Sequence, residues 1–281
     1  MPKATIRGAT IVYEVLGKSG PWVALTPGGR RGLDGVKSLA QRVADLGFRV
    51  VIHDRRNTGA SDVVLEGDET EYEIWADDLY TLLTQLDALP AWIGGRSSGC
   101  RMSVLFALRH PQAVRGLLMT GITGGRFACE RLAENYYGQY MKAAEKGGMA
   151  AVCETEHFRD LIAANPSNRA RIMNMDVKRF LAGFARWREP FIHGAELPMI
   201  GVTEAQLRSI KVPTYVVPGN DNTHNRPTGE RVGKLIPGAE THILLPIDRD
   251  VDLAHEDWDE REDELAHLLD DFMRRNTKRA V

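Results

Sequence analysis

Short apolar runs alternate along the chain with longer stretches whose apolar positions recur at helical spacing. "WVALTP", "FRVVIHD", "AWIGG", "VRGLLMT", "TYVVPG" and "THILLP" are brief and rich in β-branched residues, so they are expected as buried strands. Between them, "VKSLAQRVADLG", "YEIWADDLYTLLTQLDAL" and "GCRMSVLFALRH" present one apolar face each, with stops at Gly47 and Pro111, and "DELAHLLDDFMRR" closes the chain in the same way. Strands that are apolar throughout and separated by helices predict an α/β fold, a mostly parallel sheet flanked by helices. The opening "ATIRGATIVYEVLG" alternates about Gly8 and predicts a hairpin. From Gly125 to Ala205 the alternation stops, leaving amphipathic text such as "LAENYYGQYMKAAEKG" and "VKRFLAGFARWREPFIHG". This predicts a helical cap over 125–205 inserted into a core made of 1–124 and 206–281.

Composition narrows the chemistry. In 281 residues, 36 basic side chains face 38 acidic ones, and a net charge of -2 supplies no field to gather nucleic acid or an anionic membrane. Cys100, Cys129 and Cys153 are odd in number and widely spaced, which predicts buried thiols and neither a disulfide framework nor a zinc site. The glycine-rich "PGGRRG" lacks the spacing and lysine of a phosphate loop, so no metal and no cofactor is expected. The first residues have no continuous apolar segment, and no later run is long enough to cross a bilayer, so the expected location is cytoplasmic. The expected partner is a small-molecule substrate, and self-association into a homo-oligomer is left open.

One five-residue stretch calls for chemistry. "GRSSG", Gly95 to Gly99, places Ser97 between a strand and a helix in the pattern G-x-S-x-G. A serine on so sharp a turn has a strained backbone, and side chains at the flanking glycines would strike the adjoining strand and helix. The amides at the start of the following helix favour any negative charge that develops beside the serine.

In this feature, and in "HDRRNTGASD" at 53–62, the chain resembles the α/β-hydrolase fold family over nearly all of its length except the cap. The second segment is similar to the family's D-x-R-G-x-G-x-S loop, with Asn57 where glycine is more usual. There Asp54, Arg55 and Ser61 are expected to brace loops and to take no catalytic part.

The resemblance implies a chain order of serine, acid, then histidine. Asp221, in "YVVPGNDNTHNRP", occupies the family's G-x-D position, and the preceding strand offers no carboxylate in "LLMTGITGG". Among histidines after the acid, His224 is set aside as too close to come from a separate loop. His255, in the loop "IDRDVDLAHEDW" seventeen residues before Phe272, is expected as the base, with His242 as the alternative. Gly29 and Ser98 are expected to supply the oxyanion amides. Arg30, Arg31 and Arg96 either bind an anionic group of the substrate or pair with Asp34 and Asp62.

The expected function is hydrolysis of a small carboxylic ester through an acyl-enzyme on Ser97. The alternatives are hydrolysis of a carbon-carbon bond in a diketone-like acid from aromatic degradation, and ligand binding without turnover. Phe127, Tyr136, Tyr137, Met141, Phe184 and Trp187 either set substrate size or pack the cap.

Overall fold

A computed structural model describes residues 1–65 and 68–277. Eight strands form one sheet: β1 (Lys3–Ile6), β2 (Ala9–Leu16), β3 (Trp22–Thr26), β4 (Arg49–His53), β5 (Ala91–Arg96), β6 (Val114–Thr120), β7 (Thr214–Val217) and β8 (Glu240–Thr241). Their spatial order is β1-β2-β4-β3-β5-β6-β7-β8. β1 and β2 form the expected antiparallel hairpin, with Arg7 and Gly8 both at positive φ in the turn. β2 runs antiparallel to β4, and every later pairing is parallel.

The helices α1 (Asp34–Asp45), α2 (Glu71–Gln85) and α3 (Ser98–Arg109) join the central strands. Between β6 and β7 the chain forms α4 (Gly125–Ala133), a π turn at Glu134–Gly138, α5 (Gln139–Cys153), α6 (Glu156–Ala164), α7 (Ser167–Met173), α8 (Val177–Ile192) and α9 (Glu204–Ser209). After β7 come α10 (Arg226–Leu235), α11 (His255–Asp259) and α12 (Glu262–Thr277). Local chemistry explains where these begin. The Thr70 hydroxyl accepts from the Glu73 amide and the Glu73 carboxylate accepts from the Thr70 amide, a reciprocal cap that starts α2.

Two apolar clusters sandwich the sheet. One joins α2 and α3 to the helices inserted after β6 through Trp75, Phe106, Phe184 and Phe191, and the other packs α1 and α12 on the opposite face through Val43, Trp92, Leu269 and Phe272. The expected strand "THILLP" is cut short. Thr241 ends β8, the His242 amide still donates to the Val216 carbonyl at 2.9 Å, and then Leu244 and Leu245 turn inward to join the α12 cluster. An edge strand has only one neighbour to hold its register, so burial of two leucines outweighs continued pairing.

The order β4-β3-β5 puts the reversal of winding between β3 and β5. Crevices outside the carboxyl ends of strands at such a reversal are where open α/β sheets bind ligands. The two segments that emerge there are Pro27–Arg31 after β3 and Ser97 after β5. No helix among the described residues is long and apolar enough to cross a membrane.

Candidate active site

Ser97 stands at the junction of β5 and α3 with φ 58° and ψ -114°, a positive φ that a non-glycine residue adopts only under constraint. The constraint is visible. Its amide donates to the carbonyls of Thr120 and Gly121, each at 3.1 Å. A Cβ at Gly95 or at Gly99 would lie 2.5 or 2.4 Å from the Thr26 carbonyl oxygen, so both flanking glycines are required for α3 to close on β3.

The Ser97 hydroxyl meets His224, whose Nε2 lies 2.9 Å from its Oγ. Nδ1 of the same ring is 2.9 and 3.1 Å from the two oxygens of Asp221. A carboxylate only accepts, so Nδ1 carries the hydrogen and Nε2 presents its lone pair to the Ser97 O–H. Burial opposes the charge of Asp221, but hydrogen bonds from the His224 ring and from the amides of Ala254 and His224 hold its carboxyl below the usual range.

This geometry corrects the expectation for the base. His255 makes no hydrogen bond to Ser97 or Asp221 among the described residues, and His242 stacks on Tyr215 at the edge of the sheet. Exclusion of His224 assumed that acid and base need separate loops. Here Asp221 accepts the His224 amide at 2.7 Å, and this tight turn swings the imidazole back over the carboxylate. Gly219 makes room for it, since a Cβ there would stand 2.3 Å from the His224 carbonyl oxygen. The signal in the sequence was Asp-x-x-His four residues beyond the end of β7.

The long acidic loop before His255 braces that turn. Thr223 Oγ1 donates to the Asp252 carbonyl at 2.7 Å, the Asn222 amide to Val251 at 2.9 Å, and Asn220 Nδ2 to the Ile247 carbonyl at 3.0 Å and to Asp257 at 2.6 Å.

Gly29, at φ 58°, turns its carbonyl toward Arg55 Nη2 at 2.9 Å and Ser98 Oγ at 3.0 Å. Arg55 also donates to Ser98 Oγ and to the Arg31 carbonyl, and lies over the Trp75 ring. Asp54 accepts from the amides of Leu33 and Ala60, and the Ser61 hydroxyl donates to the Asp54 carbonyl at 2.7 Å. These contacts tie the segment after β4 to the loop after β3. Asn57 takes the glycine-like conformation at φ 66°.

The three arginines separate. Arg30 is not available to a substrate: Glu71 receives its Nη1 and Nη2 at 3.0 and 2.8 Å, and Nη2 also reaches the Tyr136 carbonyl. Burial works against this charge, yet Glu71 holds the guanidinium above its ordinary range. Asp62 pairs with Arg171 at 2.8 Å, not with an arginine of the site. Arg31 and Arg96 instead meet His255, at 3.1 Å to Nε2 and 3.4 Å to Nδ1.

A cavity of about 330 Å³ joins Ser97, His224, His255, Arg31, Arg96 and Gly29 to Tyr136 and Leu132 of the inserted helices. Of the aromatic candidates, Tyr137, Phe184 and Trp187 are fully buried in packing among those helices, Phe127 is exposed, and Tyr136 faces the cavity.

Comparison with known proteins agrees with the fold. A family model described as "alpha/beta hydrolase fold" matches residues 21–193. The uncharacterized hydrolase YraK of Bacillus subtilis is 32% identical over 113 residues, which span 40% of this chain and 41% of that protein. The 2-hydroxy-6-oxononadienedioate/2-hydroxy-6-oxononatrienedioate hydrolase of Escherichia coli K12 is 27% identical over 248 residues, 83% of this chain and 82% of that protein. The crystal structure of the enol-lactonase from Burkholderia xenovorans LB400 matches with a TM-score of 0.62 at 22% identity, covering 97% of this chain and 99% of that one.

Proposed function

This chain belongs to the alpha/beta hydrolase fold family, and from that membership we propose that it hydrolyses a small carboxylic ester through an acyl-enzyme on Ser97. The observation that carries the reading is the unbroken chain Ser97 Oγ, His224, Asp221, with 2.9 Å at each link. A serine hydroxyl is a poor nucleophile at neutral pH, and a neutral imidazole at Nε2 removes its proton as Oγ attacks the carbonyl. The imidazolium so formed faces Asp221, whose negative charge stabilises it without taking the proton. The amides of Gly29 and Ser98 hold the oxyanion; one such donor contributes about 3 kcal/mol to lowering the barrier. His224 then protonates the departing alcohol, and water repeats the sequence to release the acid.

The helices at 125–205 serve as a cap over a core of 1–124 and 206–281, with Arg131, Leu132 and Tyr136 as the cap's share of the cavity wall. A volume of about 330 Å³ suits a small substrate. Labelling with a fluorophosphonate tests the reading. Wild type is expected to be labelled and Ser97→Ala not; an unlabelled wild type would leave a ligand-binding protein of the same fold.

A second reading, carbon-carbon bond hydrolysis, is favoured by the relative from Escherichia coli, whose name specifies a hydrolase of an oxo-dienedioate. Turnover of a 2-hydroxy-6-oxo-dienoic acid at a higher kcat/KM than any simple ester would select it.

A further inference from the structure

Arg31, Arg96 and His255 come from three separate elements, the loop after β3, the end of β5 and the start of α11, and meet at the wall of the Ser97 cavity. Their contacts do not balance. Both guanidinium groups can only donate, and each points an Nη2 at a different nitrogen of one imidazole, at 3.1 and 3.4 Å. A neutral imidazole has one acceptor nitrogen, so one of the two contacts sets N–H against N–H, and protonation of the ring would make both repulsive. No carboxylate among the described residues lies within ion-pair distance of either arginine. Asp221 and Asp259 act on Arg96 from beyond ion-pair distance, and Asp221 is already committed to His224 and the Ala254 amide. Arg96 is half-buried, and besides His255 its guanidinium lies over the Trp258 ring at 4.6 Å. A stacked ring offsets only part of the cost of burying a guanidinium.

We infer that Arg31, Arg96 and His255 form a carboxylate-binding subsite beside Ser97, so that the ester hydrolysed carries a free carboxylate, as in the half-ester of a short dicarboxylic acid. A carboxylate supplies the acceptors this cluster lacks, taking a hydrogen bond from each guanidinium and leaving His255 free to donate as well. Arg96 immediately precedes the nucleophile, so an anion held there fixes the carbonyl a few bonds away over Ser97 Oγ. The substrate class rests on the serine-hydrolase reading; the subsite does not.

Two measurements keep them apart. The first is the ratio of kcat/KM for the monoethyl esters of succinic, glutaric and adipic acids to that for ethyl butanoate, pentanoate and hexanoate. Wild type is expected to favour at least one half-ester by roughly tenfold or more, and Arg31→Gln and Arg96→Met to reduce that ratio by about tenfold each. Because the ratio is taken within one preparation, a general loss of activity cancels. The second is calorimetric titration of glutarate, with glutaramide as the neutral control, into Ser97→Ala, which cannot turn over. Saturable glutarate binding that weakens about tenfold in Ser97→Ala/Arg31→Gln supports the subsite even if no ester is hydrolysed, and in that case only the hydrolase reading falls. An unchanged ratio in both arginine variants, or glutarate binding that is absent or indifferent to Arg31→Gln, overturns the subsite. Arg31 is exposed, so its variant carries the test if Arg96→Met fails to fold.

Discussion

Replacing Glu71 by glutamine is expected to destabilise the protein by about 3–5 kcal/mol. The magnitude follows from what the carboxylate holds. Glu71 is 1% exposed and accepts four hydrogen bonds: two from Arg30 at 2.8 and 3.0 Å, one from the Tyr137 hydroxyl at 2.9 Å and one from Asn57 Nδ2 at 3.3 Å. The Arg30 side chain is only 8% exposed. An amide at position 71 has one acceptor oxygen and turns two N–H groups toward donors, so the guanidinium is left buried without a counter-charge. Equilibrium unfolding in urea, followed by circular dichroism, measures the loss, which corresponds to a fall in midpoint temperature on the order of 10 °C. The pair must also couple. Arg30→Met removes the charge that Glu71→Gln strands, so the double variant is expected to be more stable than the sum of the single losses by about 2 kcal/mol or more. A loss below about 1 kcal/mol for Glu71→Gln, or strict additivity in the double variant, would refute the claim that Glu71 supplies the counter-charge of the buried Arg30.

The remaining predictions concern the site and its support. His224→Ala is expected to lower kcat/KM on a neutral ester by about 10⁴-fold and Asp221→Asn by a similar factor through the wrong tautomer, each at least a hundredfold more than His255→Gln; the reverse order would transfer the base to His255. Gly99→Ala places a Cβ 2.4 Å from the Thr26 carbonyl and is expected to cost about 1–3 kcal/mol, read in the same urea experiment, with a matching loss of fluorophosphonate labelling. His53, buried in β4 with neither ring nitrogen hydrogen-bonded among the described residues, has its pKa pushed by burial down to about 3, against about 6.5 in the unfolded chain. The unfolded state therefore binds the proton first, and stability falls with pH below about 6.5 by up to about 1.4 kcal/mol per unit. His53→Gln is expected to reduce that slope between pH 6.5 and 5, and an unchanged slope would dismiss the account.

The parts of the molecule that were legible in sequence are those set by one element at a time. The elbow at Gly95–Gly99 announced itself because close packing on β3 leaves no alternative to glycine, and the strands were legible because burial on both faces makes them apolar throughout. What was not legible depends on pairings across the fold. Nothing near Arg30 in the chain indicates that Glu71, forty-one positions on, neutralises it. Sequence alone could not separate Arg30 from Arg31, its neighbour, although one is bound to a buried carboxylate and the other points at His255. β8 was overextended because its apolar residues serve the α12 cluster instead of the sheet.

The histidine beside Ser97 is the instructive case, because its exclusion rested on a premise about loops and not on the residues. An aspartate that accepts the amide three positions ahead forms a turn whose end residue points back toward its own carboxylate, so Asp221 and His224 are set relative to each other by a purely local bond. Their position relative to Ser97 is then a separate problem, solved by the loop at 246–254 through Asn220, Asn222 and Thr223. That division explains why the loop is long although, among the described residues, the one group it adds to the Ser97 hydrogen-bond chain is the Ala254 amide that donates to Asp221: its backbone carbonyls, with Asp257 beyond it, receive the donors of Asn220, Asn222 and Thr223. It also leaves the imidazole at 255 outside the Ser97–His224–Asp221 hydrogen-bond chain and set between Arg31 and Arg96 on the wall of the cavity.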